Sequence, residues 1–293
     1  MNYDKLTNAI EYCYNNLVNK TGDIFVVSIS AYEKYICLLD LILNITYHFR
    51  NFNVKILISL KNNLDLKINF QHVFIHRIDN ASKSLWGTIH YFDQHYCARN
   101  YCKANNIDYK YFCLCISNQL FLKDITVDLL NNYCVSSTNR NKIIISSEEK
   151  NKFVKYFLKT DKWWYPDIRK NQYFVNFVKN NNFVISESMH EGLIFDYNAF
   201  EFICETYEKY DFVNNLPYNI NFEEIFPLSL IRNHYDFPYI VPCIFHTVIY
   251  EELLDIINTQ PGKYTVKIKR ELEHPLRQAI RNKIFYALQL EIN

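Results

Sequence analysis

The sequence predicts an α/β protein with a mostly parallel sheet covered by helices on both faces. Through the first half of the chain, runs of β-branched and aromatic residues alternate with segments whose apolar residues recur at helical spacing. The connections between these runs are long enough for the crossover helices that parallel strands require. The chain has 293 residues, of which 49% are hydrophobic, so it can bury a large core. No break in composition divides it into separate domains.

The elements of the first half follow from this alternation. The predicted strands are apolar runs over residues 24–29, 54–60, 72–78 and 109–116. The predicted helices cover residues 35–49, about 87–104 and 124–133. Asp124 is the expected N-cap of the last helix, because a carboxylate there can accept from free backbone N–H groups.

Beyond residues 142–146 the pattern is looser. The predicted elements are helices over about 168–179 and 197–210, strands over 183–186 and 239–245, and a basic closing segment over 267–283. The second half therefore completes the same fold with less regular structure.

Composition narrows the classes of function. Lys and Arg number 32 against 31 Asp and Glu, so no long-range field attracts nucleic acid. Neither a run of about 18 apolar residues nor a secretory leader is present, so we expect no transmembrane segment and a soluble protein of the cytoplasm, in a bacterium or a virus-infected cell. Nine cysteines without a Cys-x-x-Cys pair indicate reduced, buried thiols. With only 4 glycines, the chain contains no Gly-x-Gly-x-x-Gly or Walker loop.

The end of the first strand is the first candidate site. Ligands of doubly wound sheets collect at the carboxyl ends of the strands, so Ser28, Ser30 and Tyr32 are candidates to contact a nucleotide. The alternative is that these residues only turn the chain.

Histidines offer a possible metal site. His72 and His76 share one face of a predicted strand, and His90, Asp93 and His95 lie on one predicted helix. Four-residue spacing on a strand is too long for one ion, so polar or core histidines are the favoured interpretation.

A basic stretch provides an alternative to a metal. The chain has no Asp-x-Asp triplet, which in many nucleotide-sugar transferases holds a divalent ion on the diphosphate. Cations suited to a leaving diphosphate are concentrated near the end of the chain, at Lys267, Lys269, Arg270, Arg277, Arg281 and Lys283. The alternative is a solvated basic face on a closing helix.

Two carboxylate segments are candidates for acid–base chemistry. Glu223 and Glu224 lie among apolar residues, and burial there would raise a carboxyl pKa towards that of a useful general base. Glu191 precedes Gly192, which would let the backbone approach a ligand closely. An ordinary turn is the alternative for the second segment.

Tryptophans offer flat faces for a sugar or base. Trp86, which precedes Gly87, is the preferred stacking candidate, and Trp163, Trp164 and Tyr165 are further ones. Core packing is the alternative for any single aromatic residue in this chain.

The order of these segments resembles the core-2/I-branching N-acetylglucosaminyltransferases and the related xylosyltransferases, as a bacterial or viral relative. The matching stretches lie at residues 23–33, 38–45, 52–59, 72–87, 108–123, 190–195 and 221–230. The resemblance spans about residues 23–281.

The resemblance implies roles for individual residues. Glu224 corresponds to the catalytic base of the family's Pro-Asp-Glu segment, with Glu223 and Glu191 as the other catalytic candidates. Asn118, Gln119 and Gly192 fall on acceptor-side segments. Gln119 stands where the family has Asp, which departs from its pattern.

The resemblance also implies a fold and an activity. It predicts a single GT-A-like domain, with a nucleotide-sugar-binding half at 1–146 and an acceptor-binding and catalytic half at 147–293. The expected activity is inverting transfer from a nucleotide-sugar, such as a UDP-sugar, to a glycan hydroxyl. Neither a metal nor a cofactor is expected, because the family uses Arg and Lys to neutralise the diphosphate. The alternatives are an inactive glycan- or protein-binding descendant and a metal-dependent transferase with another donor.

Overall fold

A computed structural model describes most of the chain. The described residues are 3–31, 35–61, 68–78, 89–136, 170–181, 183–185, 190–216, 222–235, 242–244 and 250–290. They form a mixed α/β domain built on a mostly parallel sheet, as the sequence predicts.

The central sheet has five strands in the order β3-β2-β1-β4-β6. The strands are β1 (Ile24–Ser30), β2 (Asn53–Lys61), β3 (Val73–Ile78), β4 (Tyr111–Ile116) and β6 (Ile194–Asp196). The first four are parallel, whereas β6 pairs antiparallel with β4. In the register of β1 and β4, Ser30 lies beside Ile116, so both strands end at the same edge.

A smaller sheet joins the end of β4 to the last third of the chain. It contains β5 (Gln119–Phe121), β7 (Cys243–Ile244) and β8 (Thr265–Lys267), in the order β5-β8-β7. Gln119 pairs with Lys267 across the antiparallel β5 and β8 strands. This pairing brings a late segment to the carboxyl edge of the central sheet.

Helices cover the two faces of the central sheet. The helices among the described residues are α1 (Tyr3–Asn16), α2 (Tyr35–His48), α3 (Ile89–Ala104), α4 (Val127–Tyr133), α5 (Gln172–Asn180), α6 (Tyr197–Lys209), α7 (Phe212–Asn215), α8 (Phe222–Arg232), α9 (Tyr250–Thr259) and α10 (Pro275–Ala287).

Alternation along β1 explains why two helical layers form. Phe25, Val27 and Ile29 belong to one buried cluster with α1, α2 and α10, while Val26 belongs to a second with α3, α6 and α8. Successive side chains of a strand point to opposite faces, so an apolar strand requires cover on both.

One predicted helix cap and one predicted strand are wrong. Asp124 does not cap a helix at 124: α4 begins at Val127, and the Thr126 side chain accepts from the Leu129 N–H. Asp124 instead forms an ion pair with Arg50. The segment Phe183–Ile185 is not a strand; its backbone is held by the Asn233 side chain, which accepts from the Val184 N–H at 2.9 Å and donates to its carbonyl at 2.7 Å.

Two further expectations are met. All nine cysteines lie in the described residues; none forms a disulfide, and all but Cys97 are buried. Among the described helices, none combines the length and apolarity that a bilayer span requires.

Candidate functional site

The candidate site lies at the carboxyl edge of the central sheet, beyond the end of β4. Because β6 is antiparallel to β4, the residues that precede β6 lie beyond Ile116. The Gly192 N–H donates to the Leu114 carbonyl at 2.8 Å, and His190 and Glu191 come immediately before. The loop is therefore held at the edge where ligands of such sheets bind.

Gly192 is required by the geometry of this loop. Its φ of 84° lies in the left-handed region that favours glycine. A Cβ there would lie 2.6 Å from Nε2 of Gln119 and 2.9 Å from Cγ2 of Thr265. Its carbonyl accepts from the Tyr264 hydroxyl at 2.8 Å. This close packing joins the loop to β5 and β8.

The first turn of α8 adds two carboxylates to the site. One ligand atom from each of His190, Glu223 and Glu224 lies within 4.8 Å of the others. Glu223 is buried and Glu224 is half-buried. Such a cluster can hold protons or a divalent cation.

Lys267 introduces a positive charge next to these carboxylates. Its Nζ donates to Oε1 of the buried Glu191 at 2.9 Å, and the Lys267 side chain keeps 26% of its surface exposed. The second oxygen of Glu191 lies 3.7 Å from Nδ1 of His190. Lys267 thus pairs with Glu191 while part of its side chain stays exposed.

The local environment separates the pKa values of the three carboxyls. Burial raises the pKa of Glu223 to about 8, although the Lys267 charge opposes the shift. Burial likewise raises the pKa of Glu224 to about 7. Burial acts in the same direction on Glu191, but His190 and Lys267 outweigh it and lower the Glu191 pKa. Divergent carboxyl pKa values in one cleft are typical of acid–base chemistry.

Several buried polar atoms in this region have no hydrogen-bond partner among the described residues. They include both ring nitrogens of His190, Oε2 of Glu191, Oε2 of Glu223 and Nε2 of Gln119. Unpaired buried polar groups cost free energy and are rare in folded proteins. These atoms are therefore candidates to bind a ligand, an ion or water.

Aromatic and imidazole rings extend the site towards β1. The Tyr91 ring lies 4.9 Å from the His190 ring and 5.7 Å from that of His95, between centroids. Nδ1 of His95 lies 2.8 Å from Oγ of Ser28. A continuous polar layer therefore runs from β1 to the carboxylates.

The serines predicted to contact a nucleotide are buried. Ser28 is engaged by His95 within the core, so its hydroxyl is a weaker candidate than the sequence suggests. Ser30 is the last residue of β1, and its Oγ has no partner within the described chain. Ser30 is therefore the better placed of the two.

The acceptor-side candidates Asn118 and Gln119 lie beside the carboxylate cluster. The Asn118 carbonyl accepts from the Ile268 N–H at 2.8 Å, while its side-chain Oδ1 has no partner within the described chain. Oε1 of Gln119 accepts from the Ile116 N–H at 3.3 Å. Gln119 therefore supports the strand end as well as bordering the site.

The predicted cations occupy three environments. Lys267 lies in the cluster, and Lys269 and Arg270 are exposed just beyond β8. Arg277 is fully buried, and its Nη1 donates to Oδ2 of Asp40 on α2 at 2.8 Å. Asp40 already neutralises this guanidinium, although its Nε and Nη2 have no partner in the described chain.

Arg281 also contacts Asp40, at 3.3 Å, and is buried. The interpretation of the closing helix as a solvated basic face is therefore wrong for Arg277 and Arg281, which are both buried. Of the predicted basic stretch, only Lys267 forms a described contact with the site carboxylates.

His72 is a buried core residue, as the favoured interpretation of the histidines predicts. His72 precedes β3, stacks on Tyr14 with centroids 4.1 Å apart, and bonds the Thr46 hydroxyl through Nε2 at 2.9 Å. Burial lowers the pKa of His72 to about 3, so it is a neutral core residue. His76 instead packs near Tyr101.

Some predicted contacts lie outside the described residues or side chains. They are Tyr32, Trp86, Gly87, the side chain of His90, and Trp163, Trp164 and Tyr165. Their predicted roles remain predictions.

His190 is the site residue that sequence reasoning missed. It adjoins the predicted Glu191, but nothing in the pattern links it to Glu223 and Glu224, more than thirty residues later. The antiparallel return of β6 creates that proximity.

Comparison with known proteins assigns no family. No model of a protein family matches the chain, and no curated protein matches it. The function is therefore argued from the geometry of the site.

Proposed function

We propose that the chain is an inverting glycosyltransferase that moves a sugar from a nucleotide-sugar, such as a UDP-sugar, to a hydroxyl of a glycan. One observation carries the proposal: the half-buried Glu224, with a pKa of about 7, lies beside the Lys267–Glu191 pair at the carboxyl edge of a mostly parallel sheet. A base that titrates near the working pH is well matched to removing a hydroxyl proton.

The chemistry needs one base and one cationic region. Glu224 takes the proton of the acceptor hydroxyl while that oxygen bonds to the anomeric carbon from the face opposite the donor phosphate. The bond from the anomeric carbon to the phosphate oxygen breaks, and the nucleoside diphosphate leaves with its electron pair. Stabilising this developing negative charge is the largest expected contribution to rate.

Lys267 is the cation best placed to stabilise the leaving diphosphate. Its ammonium is held by Glu191 yet remains partly exposed. Lys269 and Arg270 follow it on the surface and can reach phosphate oxygens at the mouth of the cleft. Arg277 is engaged by Asp40, so it plays a lesser part in this proposal.

Glu223 and His190 complete the cluster around the base. Glu223 is the more deeply buried carboxyl, and its pKa of about 8 keeps it protonated at neutral pH. A protonated Glu223 can donate a hydrogen bond without adding charge, which lets Glu224 ionise next to it.

A metal-dependent transferase is the second candidate. His190, Glu223 and Glu224 offer one nitrogen and two oxygens within 4.8 Å, which suits a divalent cation. A bound cation would replace the protons on these carboxyls and neutralise the diphosphate directly. Lys267 opposes this arrangement, because its positive charge lies close to the same carboxyls.

Nucleotide binding tests the class of function. UDP, GDP, ADP and CDP are compared by thermal shift, since a ligand at 100 times its dissociation constant stabilises by about 2.7 kcal/mol. We expect a selective response that is lost in Lys267→Gln and retained in Lys267→Arg and in the surface control Lys179→Gln. A chain that responds to none of the four and turns over no donor contradicts the proposal and favours a binding protein.

Chelation separates the two candidates. Donor turnover that continues in excess EDTA supports stabilisation of the leaving diphosphate by cationic side chains. Turnover that EDTA abolishes and Mn²⁺ restores, together with a Mn²⁺ thermal shift that His190→Ala removes, supports the metal-dependent candidate.

A further inference from the structure

A second cavity lies at the opposite end of the sheet from the candidate site. It has a volume of about 360 Å³ and is bounded by the end of α2, the segment between β5 and α4, and helices α9 and α10. α2 begins beyond the carboxyl end of β1 and runs back along the sheet to the start of β2. Its last residues, Tyr47 and His48, therefore lie near the amino ends of the parallel strands. Cavities of several hundred Å³ are the usual size for small-molecule sites.

The walls of this cavity are mostly apolar. Leu253, Ile280 and Ile284 are buried along it. Two of the larger exposed apolar side chains of the described protein adjoin the same opening, Leu254 at 36% exposure and Tyr286 at 81%. Apolar surface is thus left in contact with solvent at one concave place, where an apolar ligand would cover it.

The charge of the cavity is positive. Lys123 and Lys283 line it, and neither forms an ion pair with a described residue. Lys123 reaches only the Gln260 and Pro261 carbonyls, both at 3.4 Å. Two ammonium groups next to a concave apolar surface attract an anion.

The carboxylate in the cavity wall does not offset these lysines. Arg50 engages both oxygens of Asp124, with Nη1 to Oδ1 at 2.7 Å, and Nδ1 of His48 lies 3.0 Å from Oδ1. These contacts leave Asp124 little capacity to bind a further cation. They also fix the imidazole of His48 with its other nitrogen available as a polar contact.

We propose that this cavity binds one amphipathic anion per chain, a free molecule with an apolar body and a phosphate or carboxylate head. The head contacts Lys123 and Lys283, and the apolar body covers the exposed side chains of Leu254 and Tyr286. The inference does not depend on the proposed transferase activity, because the two sites lie at opposite ends of the sheet.

Binding of three probes to the full chain tests the proposal. Decyl phosphate, decanol and inorganic phosphate are titrated separately by calorimetry below micelle-forming concentrations. We expect saturable one-to-one binding of decyl phosphate that is at least about tenfold tighter than either half-ligand alone, because both the charge and the apolar surface contribute. Equal affinity for decanol, or no binding of decyl phosphate, overturns the proposal.

Two variants locate the binding site. Lys283→Glu reverses an exposed charge, and Ala287→Trp places a bulky ring on an exposed position of the cavity wall, so neither variant alters the core. Each is expected to weaken decyl phosphate binding by about tenfold or more. The matched controls Lys179→Glu and Ala104→Trp alter exposed residues outside the cavity and should leave the affinity unchanged.

Vesicles distinguish a free ligand from a membrane surface. Co-sedimentation with phosphatidylglycerol vesicles, in the absence of any binding of free decyl phosphate, would assign the positive apolar surface to lipid contact and overturn the proposal. Decyl phosphate binding that Lys283→Glu and Ala287→Trp both leave intact would overturn it as well.

Discussion

Two buried charged clusters of this protein differ in how completely their polar atoms are paired. Around Glu201, Nε of Arg99 donates to both carboxylate oxygens, at 2.9 and 3.1 Å, and the Tyr109 hydroxyl donates at 2.8 Å. Lys103 adds an ion pair at 2.7 Å. This cluster joins α3, α6 and the segment that precedes β4, and the Glu201 carboxylate is fully paired.

The cluster at the sheet edge is equally buried but incompletely paired. His190 and Glu223 retain buried atoms without partners, and burial shifts the pKa of Glu223 upwards. Buried charge therefore takes two forms in this fold: a hydrogen-bonded network between helices, and a cluster that keeps buried polar atoms without partners among the described residues.

Removal of Glu201 should have the largest effect on stability. Glu201→Ala leaves the buried Arg99 without its main counter-charge, although the half-exposed Glu208 lies 3.7 Å away; loss of one partner of a buried pair typically costs about 3–5 kcal/mol. Urea unfolding should report this loss, while Lys103→Ala, at a side chain 48% exposed, should cost under about 1 kcal/mol. A small change for Glu201→Ala would mean that the two clusters do not differ in the way described.

Replacement of the proposed base should lower the rate without lowering stability. Glu224→Gln is expected to lower kcat by on the order of 100-fold, with no decrease in Tm. The wild-type rate should rise with pH through about 7, as Glu224 loses its proton, and the variant should lose this dependence. Glu205→Gln, on the exposed face of α6, is the matched control. Retained activity in Glu224→Gln would transfer the role to Glu223 or Glu191.

A side chain at position 192 should lower both the stability of the fold and the rate of donor turnover. Gly192→Ala places Cβ in a left-handed conformation against Gln119 and Thr265, at a cost of about 1–3 kcal/mol, and displaces Glu191 from Lys267. Thermal unfolding and donor turnover should both fall. Gly22→Ala is the control, because its nearest contact is the flexible Asn19 side chain. A neutral Gly192→Ala would show that the loop does not fix the Glu191–Lys267 pair.

The pH dependence of stability offers the finest distinction between the clusters. Because the folded-state pKa of Glu223 is raised, its protonated form contributes stability that is complete below 4.5 and is lost as pH rises through about 8. One such group gives a slope of about 1.4 kcal/mol per pH unit in that range. Glu223→Gln should reduce the slope in unfolding measured from pH 5 to 8 and leave the contribution of Glu224, whose pKa is raised to about 7, whereas Glu205→Gln should leave the slope unchanged. An unchanged slope would contradict the assignment.

The sequence predicts the central sheet well because its strands are locally encoded. The run from Ile24 is apolar on both faces, and α2 follows it at helical spacing, so both elements are visible without tertiary information. The carboxylates of α8 were also predictable, since Glu223 and Glu224 lie among apolar residues.

The assembly of the site was less predictable because it depends on short strands with distant partners. β6 and β8 have three residues each, which is too few for the alternation of apolar and polar residues to identify a strand. Glu191 and Lys267 are 76 residues apart, and only the pairing of β8 with β5 makes them neighbours. Arg277 was assigned to the diphosphate for a related reason: sequence alone does not reveal that Asp40 is its partner.

The buried contact of Asp40 with Arg277 has a consequence for the order of folding. Its two residues are separated by 237 positions, and the carboxylate lies on the helix that directly follows the first strand. During synthesis, α2 cannot pack completely until α10 has left the ribosome, because the carboxylate would be desolvated without a cation. A contact between residues so far apart in sequence raises the contact order, which slows folding.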